Sequence, residues 1–164
     1  MYVNLPNFQH SFAKWIVTRA AALTPALTLN YMGANPRSLW VNRALEGQTT
    51  DTYHTLRIYG GPPANNDPQP RVSMQARTRS VGDEALIGSM QLFATLLNAD
   101  GTALRMTEFA GFTAPTEVAA GDAADGHWRI VAIDFLQRPG LIPTNEQGRD
   151  DAVFNFDMGI YKID

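Results

Sequence analysis

The chain has 164 residues, no cysteine and a formal net charge of −3 at pH 7. This is the length of one ordinary domain, and it suffices to bury a core without covalent crosslinks. Apolar residues make up 45% of the chain and charged residues 18%, which excludes a disordered polar segment. The lack of cysteine excludes disulfides, thiolate metal sites and cysteine nucleophiles. The negative net charge argues against general binding of nucleic acid, which needs a cationic surface.

The sequence predicts neither an export signal nor a membrane span. The N-terminus, MYVNLPNFQH, lacks a basic start followed by an apolar stretch, so it does not predict an export signal. No apolar run approaches the length of a membrane span, and the best candidate, Ala20 to Leu29, is broken by Thr24 and Pro25. We therefore expect a soluble cytosolic protein that forms a single domain over residues 1–164.

The first element in chain order is a predicted helix from about Pro6 to Ala22. Apolar residues recur there at helical spacing, and a proline suits the first turn because its missing N–H has no partner in a helix start. Pro25 follows the end of this helix. Residues Asn30 to Asp51 are poorly patterned and predict irregular structure, with a short strand near Leu27 to Met32.

A strand, a second strand and a helix are predicted next. Thr52 to Tyr59 is rich in β-branched and aromatic residues, and GGPPANNDP then interrupts it with turn residues. Arg71 to Thr78 alternates between apolar and polar residues, as a half-buried strand does. Ser80 and Asp83 resemble a capping box and predict the start of a helix. Its predicted apolar stripe consists of Leu86, Ile87, Met90, Phe93, Ala94 and Leu97.

Three further strands are predicted in the second half of the chain: a weak one at Leu104 to Phe109, a mostly apolar one at Trp128 to Leu136, and Val153 to Ile163. The last strand alternates, and its predicted core-facing residues are Phe154, Phe156, Met158 and Ile160. Thr113 to Gly126 and Arg138 to Asp151 are predicted as loops, the second too long for a tight hairpin. The fold class predicted is α+β, a mainly antiparallel four- to five-stranded sheet with two helices packed on one face.

The sequence offers few residues for catalysis. His10, His54 and His127 are far apart and outside any metal-ligand pattern, so we interpret them as structural or solvated. Two acid pairs, Asp122 with Asp125 and Asp150 with Asp151, could hold a cation or transfer protons, but both occur among ordinary turn residues. We therefore predict no enzyme activity, and no catalytic, cofactor-binding or metal-binding residue.

Two features suggest contacts with other proteins. Arg71, Arg77 and Arg79 form a basic row on the polar face of a predicted strand, where they either pair with acids of neighbouring strands or contact another subunit. Leu141 and Ile142 stand where a loop should be polar, and they either tuck onto the core or anchor a partner.

The order of features resembles the tail-terminator family of tailed bacteriophages, also described as minor capsid or tail-completion proteins. The resemblance covers roughly Thr52 to Lys162 and rests on IYGGPP, on the strand P-x-V-x-M-Q-x-R-x-R that runs into a helix, on RPGLIPTNEQGRDD and on FNFDMGIY. The residues that carry it are Gly60, Gly61, Pro62, Gln75, Arg77, Arg79, Pro143, Gly148, Arg149, Asp150, Asn155 and Phe156.

This resemblance implies a small α/β domain that forms a hexameric ring in the virion neck, assembled in the host cytoplasm. Such a ring ends polymerisation of the tail tube and joins the tail to the head connector, so its partners are copies of itself, the tube protein and a head-completion or stopper protein. DNA passes through the lumen without specific binding. The candidate contact residues are Arg71, Arg77, Arg79, Leu141, Ile142, Arg149 and Asp150.

Three alternatives remain open. The chain could be another neck component, such as a head-completion or stopper protein. It could be a small hydrolase or isomerase using Asp150 and Asp151 or His127, in which case these groups must converge in a pocket. It could also bind nucleic acid through Arg71, Arg77 and Arg79, which would make retention on DNA depend on salt.

Overall fold

The computed structural model describes residues 5–33, 37–44, 52–60, 71–110, 127–146 and 148–163. These residues form two helices and seven strands. In chain order they are α1 (Leu5–Ala21), β1 (Asn30–Tyr31), β2 (Ser38–Val41), β3 (Tyr53–Gly60), β4 (Arg71–Val81), α2 (Asp83–Ala94), β5 (Arg105–Ala110), β6 (His127–Glu146) and β7 (Arg149–Ile163). The predictions of the first helix and of the strands at β3, β4, β5 and β7 are confirmed within a few residues at each end.

The seven strands form one mixed sheet in the order β1-β2-β3-β4-β7-β6-β5, curled into a half-barrel. β2 runs parallel to both β1 and β3, whereas the other neighbouring pairs are antiparallel. The predicted mainly antiparallel sheet of four to five strands is therefore wrong. The strand that the prediction lacks is β2, which has four residues, whereas the two residues of β1 lie within the short strand predicted near Leu27 to Met32. All four β2 residues are buried, so the alternation that identifies a half-buried strand is absent there.

The predicted loop from Arg138 to Asp151 is also wrong, because β6 and β7 pair through this region into a long hairpin. Its turn includes Gly148, whose φ of 69° favours glycine. Two prolines lie within β6, but β5 pairs with β6 only along residues 127–132. The rest of β6 is an edge with irregular register, between Gln137 and Gly140 and again between Pro143 and Glu146. Edges and bulges are the positions where a strand tolerates proline.

The core lies between this sheet and the two helices. Phe8 and Phe12 of α1 are fully buried, and the ring of Phe12 lies 6.4 Å from that of Phe156. From α2, the ring of Phe93 lies 5.4 Å from that of Phe154. Both helices thus cover the same face of β7, which is the face of its even-numbered residues. The predicted core-facing residues of this strand, Phe154, Phe156, Met158 and Ile160, are all fully buried.

The start and the buried face of α2 differ from the prediction. β4 continues to Val81, so Ser80 lies in a strand and its hydroxyl bonds the Thr52 hydroxyl at 2.6 Å. The helix turns its small residues toward the sheet, and its buried residues are Ala85, Gly88, Ser89 and Leu92. Ile87 and Met90, placed in the predicted core stripe, are exposed. A pattern of large apolar residues missed this face because α2 passes close to β4 at Gly88, where a Cβ would lie 3.0 Å from Thr78 Cγ2.

Candidate functional site

The odd-numbered side chains of β4 and β7 form a polar layer on the sheet face opposite the helices. Ser73 Oγ donates to Asp157 Oδ1 at 2.5 Å, and Gln75 Nε2 donates to Asn155 Oδ1 at 3.2 Å. Both pairs are cross-strand neighbours in the β4–β7 register. Cross-strand pairing satisfies these polar groups and stabilises the register of the two strands.

At one end of this layer, Arg77 and Arg79 share the carboxylate of Asp151. Arg79 lies directly opposite Asp151 and binds it with two hydrogen bonds, from Nε to Oδ1 at 2.8 Å and from Nη2 to Oδ2 at 3.0 Å. Arg77 Nη2 also donates to Oδ2. The Asp151 side chain is fully buried, whereas those of Arg77 and Arg79 are 45% and 24% exposed. Bidentate pairing of this kind fixes the orientation of a guanidinium group.

The two arginines also determine the charge state of Asp151. Burial by itself would raise the pKa of this carboxyl, but the hydrogen bonds from Arg79 and Arg77 and their positive charges hold the pKa below its ordinary value. Asp151 is therefore an anion at neutral pH, and it keeps both guanidinium groups in place.

The other predicted contact residues lie away from the Asp151 cluster or on other strands. Arg71 lies at the other end of β4 and pairs with Asp134 of β6 at 2.9 Å, so the basic row is divided between two acids, Asp151 of the neighbouring strand β7 and Asp134 one strand further away. Pairing with neighbouring strands is one of the two interpretations given above. Arg149 is half-buried at the start of β7, opposite Val81.

The acid pair Asp150 and Asp151 does not converge on one site. Successive residues of a strand face opposite sides of the sheet, so Asp150 lies on the helix-covered side, opposite Ser80. Asp151 lies on the outer side with its two arginines. The other acid pair, Asp122 and Asp125, and the predicted loop from Thr113 to Gly126 lie outside the described residues.

Leu141 and Ile142 lie on the unpaired part of β6 and do not tuck into the core. Their register partners on β7 are Ala152 and Asp151, so the two side chains face opposite sides of the sheet. Leu141 is 38% exposed and Ile142 46% exposed. Leu136, in the same part of β6, is exposed as well.

The three histidines are separate from one another, as the sequence predicts. His10 is buried, and its Nδ1 hydrogen-bonds the Tyr31 hydroxyl. His54 is fully buried, and its Nδ1 lies 2.7 Å from Thr78 Oγ1. Burial and the positive charge of Arg37 lower the pKa of His54 to about 3, so its ring is neutral. His127 is exposed at the start of β6.

Beside the Asp151 cluster is a cavity of about 230 Å³ that sequence reasoning missed. Its lining residues are Asn42, Arg43, Ala44, Tyr53, Thr55, Arg77, Arg79 and Asp151. Alternation in β3 already indicates that Tyr53 and Thr55 share a face. Nothing in the sequence brings the residues after β2 to the same place.

The approach of Arg43 depends on a turn at the end of β2. Asn42 has a φ of 69°, and its backbone N–H donates to the carbonyl of Leu56 at 2.8 Å. The N–H of Arg43 then donates to the carbonyl of Val41 at 2.9 Å. This turn follows from the parallel pairing of β2 with β3, and it places a third arginine at the cavity.

The residues that the structure describes contain no group of three or more His, Asp or Glu side chains that could hold a metal ion. None of the helices in this part of the chain is long and apolar enough to cross a membrane.

Comparison with known proteins gives no family. No model of a known protein family matches the chain, and no curated protein matches it. The resemblance to tail terminators therefore stays a prediction.

Proposed function

We propose that this chain is a structural subunit of a tailed-phage neck, where copies of it close into a ring at the end of the tail tube. The ring, a hexamer by resemblance to tail terminators, stops polymerisation of the tube and joins the tail to the head connector. One observation carries the proposal: among the residues that the structure describes, no strand pairs with the outer edge of β6 along residues 133–146, and this stretch carries exposed apolar side chains. Such an edge is a protein-contact surface.

This β6 edge surface consists of residues 133–146, which β5 leaves unpaired, with the exposed side chains of Leu136, Leu141 and Ile142. α2 packs beside it, since the rings of Phe93 and Phe135 lie 4.5 Å apart. Single exposed apolar residues are ordinary on a protein surface, but several along one unpaired edge are not.

The prolines of β6 favour one kind of contact over another. Pro139 and Pro143 have no N–H, and the register is irregular around both. An uninterrupted added strand would need a regular row of donors along this edge. We therefore expect a neighbouring subunit to pack against the side chains of the β6 edge surface, with backbone hydrogen bonds as a minor contribution.

A ring follows if this edge meets a different surface on the next copy. A contact between two unlike surfaces closes into a ring when its rotation is right, and closure leaves no surface for further growth. Six copies at −3 each carry −18, and net acidity disfavours adhesion of DNA that passes through. A head-completion or stopper protein would use the same kind of surface. The position of the ring in the assembled particle distinguishes such a protein from a terminator.

The experiment is a mass measurement of the purified chain, alone and with tail-tube subunits of the same phage. We expect a discrete hexamer-sized species in the presence of the tube protein, and electron micrographs with rings at tube ends. Tubes should stop growing after the chain is added. A chain that stays monomeric with tubes present, while the tubes grow at an unchanged rate, contradicts the proposal.

A paired variant tests the β6 edge surface itself. Leu141→Asp combined with Ile142→Asp should leave the monomer folded, because both side chains are partly exposed, and should abolish ring formation. The matched control is Met106→Asp, which adds a charge at an exposed apolar residue of β5. Rings that form normally from the double variant, with unchanged melting temperature, would remove the observation on which the proposal rests.

A further inference from the structure

We propose that the cavity beside Asp151 is an oxyanion site, which takes one carboxylate or phosphate group between Arg43 and Arg77. The inference goes beyond the ring function and does not depend on it. It rests on the charge balance of the cavity, on the donors that face it and on its size.

The described residues that line the cavity carry more positive than negative charge. Among them, three guanidinium groups, from Arg43, Arg77 and Arg79, accompany a single carboxylate, that of Asp151. This carboxylate is fully buried and already accepts hydrogen bonds from Arg77 and Arg79. The side chain of Arg43 is exposed, and no acid of the described residues pairs with it. Arg43 and Arg77 therefore present positive charge to a concave surface, and such a surface attracts an anion.

The donors needed to hold an anion are already oriented. Arg77 uses its Nη2 for Asp151, and a guanidinium group has five N–H donors, so most of its donors remain for a ligand. Asn42 Oδ1 accepts a hydrogen bond from Gln9 Nε2 at 2.8 Å, which leaves Asn42 Nδ2 as a donor. The hydroxyl-bearing side chains of Tyr53 and Thr55 complete the lining. Because Asp151 holds Arg77 in place, little side-chain entropy is lost when a ligand binds.

The size of the cavity and its surroundings limit the ligand. About 230 Å³ is smaller than the usual site for a drug-sized molecule and suits one anionic group. A nucleic-acid strand would need a continuous row of cations, but the same sheet face also carries Asp134 and Asp157. We therefore assign the site to a single oxyanion, from an acidic side chain of a partner protein or from a phosphate compound.

The test compares the wild-type chain with Arg43→Gln, since this change leaves the ion pairs of Asp151 intact. Inorganic phosphate and acetate are titrated separately, and sodium chloride holds the ionic strength constant. The readouts are the NMR signals of the arginine Nε–H groups and the thermal midpoint. We expect a saturable shift of the Arg77 signal and a raised midpoint in the wild type. Arg43→Gln should bind about tenfold more weakly, the effect of one charge-assisted hydrogen bond.

Arg138→Gln serves as the control, because Arg138 is exposed on β6 and does not line the cavity. Its affinity should equal that of the wild type. Saturation by acetate supports an acidic side chain as the natural ligand, and saturation by phosphate alone supports a phosphate compound. The proposal is overturned if neither anion gives a saturable shift, or if Arg43→Gln binds as tightly as the wild type. Retention of duplex DNA that Arg43→Gln abolishes would also overturn it, in favour of a nucleic-acid surface.

Discussion

Replacement of Asp151 by Asn should cost about 2–3 kcal/mol of unfolding free energy. Removal of one partner of a buried ion pair costs about 3–5 kcal/mol, because the remaining charge is left uncompensated. In this cluster the carboxylate is fully buried, but Arg77 and Arg79 are partly exposed, so water can solvate them after the change. This solvation lowers the expected cost to about 2–3 kcal/mol. Urea unfolding followed by circular dichroism measures the difference.

The matched control is Asp134→Asn, which breaks the ion pair with Arg71 on the same sheet face. The Asp134 side chain is 64% exposed, and exposed pairs contribute less than about 1 kcal/mol. The two variants lose the same chemical group and differ chiefly in burial. Equal losses of unfolding free energy in both variants would refute the argument that the contribution of Asp151 to stability depends on its burial.

The pH dependence gives a second, independent check. The pKa of Asp151 is lowered in the folded protein from an ordinary value of 3.8. The stability that this carboxylate contributes is therefore present above about pH 3.8 and is lost as the pH falls below that value. The difference in stability between the wild type and Asp151→Asn should shrink as the pH is lowered from 4 to 2. A difference that stays constant over this range would contradict the assignment of the anionic form.

Two further predictions concern the contact between α2 and the sheet. Because the pKa of His54 falls from 6.5 to about 3 on folding, stability should decrease by about 1.4 kcal/mol per pH unit as the pH drops from 6.5 toward 3. His54→Asn keeps a polar partner for Thr78 and should remove this slope in urea unfolding; an unchanged slope would disprove the assignment. Gly88→Ala would place its Cβ 3.0 Å from Thr78 Cγ2, so we expect it to lower stability by about 1 kcal/mol. In a Thr78→Ser background the obstructing methyl is gone, and the same change should instead stabilise α2 by up to about 1 kcal/mol; thermal unfolding that shows no such reversal would contradict the close contact.

Elements with a strong local pattern were predictable from the sequence. α1 has regular apolar spacing, and β4 and β7 alternate along their lengths, so their positions and the core face of β7 followed from periodicity alone. The pairing of Arg79 with an acid of a neighbouring strand was one of two interpretations of the basic row. In each case neighbours along the chain carry the information, and no distant contact is needed to interpret it.

Tertiary structure decided the rest, because distant contacts can override local pattern. The prolines of β6 indicate a loop by themselves, yet pairing with β7 makes the segment a strand at an open edge. The close approach of α2 to β4 at Gly88 favours small residues on this part of its buried face, whereas Ile87 and Met90 are exposed. The site depends on such contacts most of all. Arg43 and Asp151 are far apart in sequence, and only the parallel pairing of β2 with β3 brings Arg43 to the cavity that Asp151 lines.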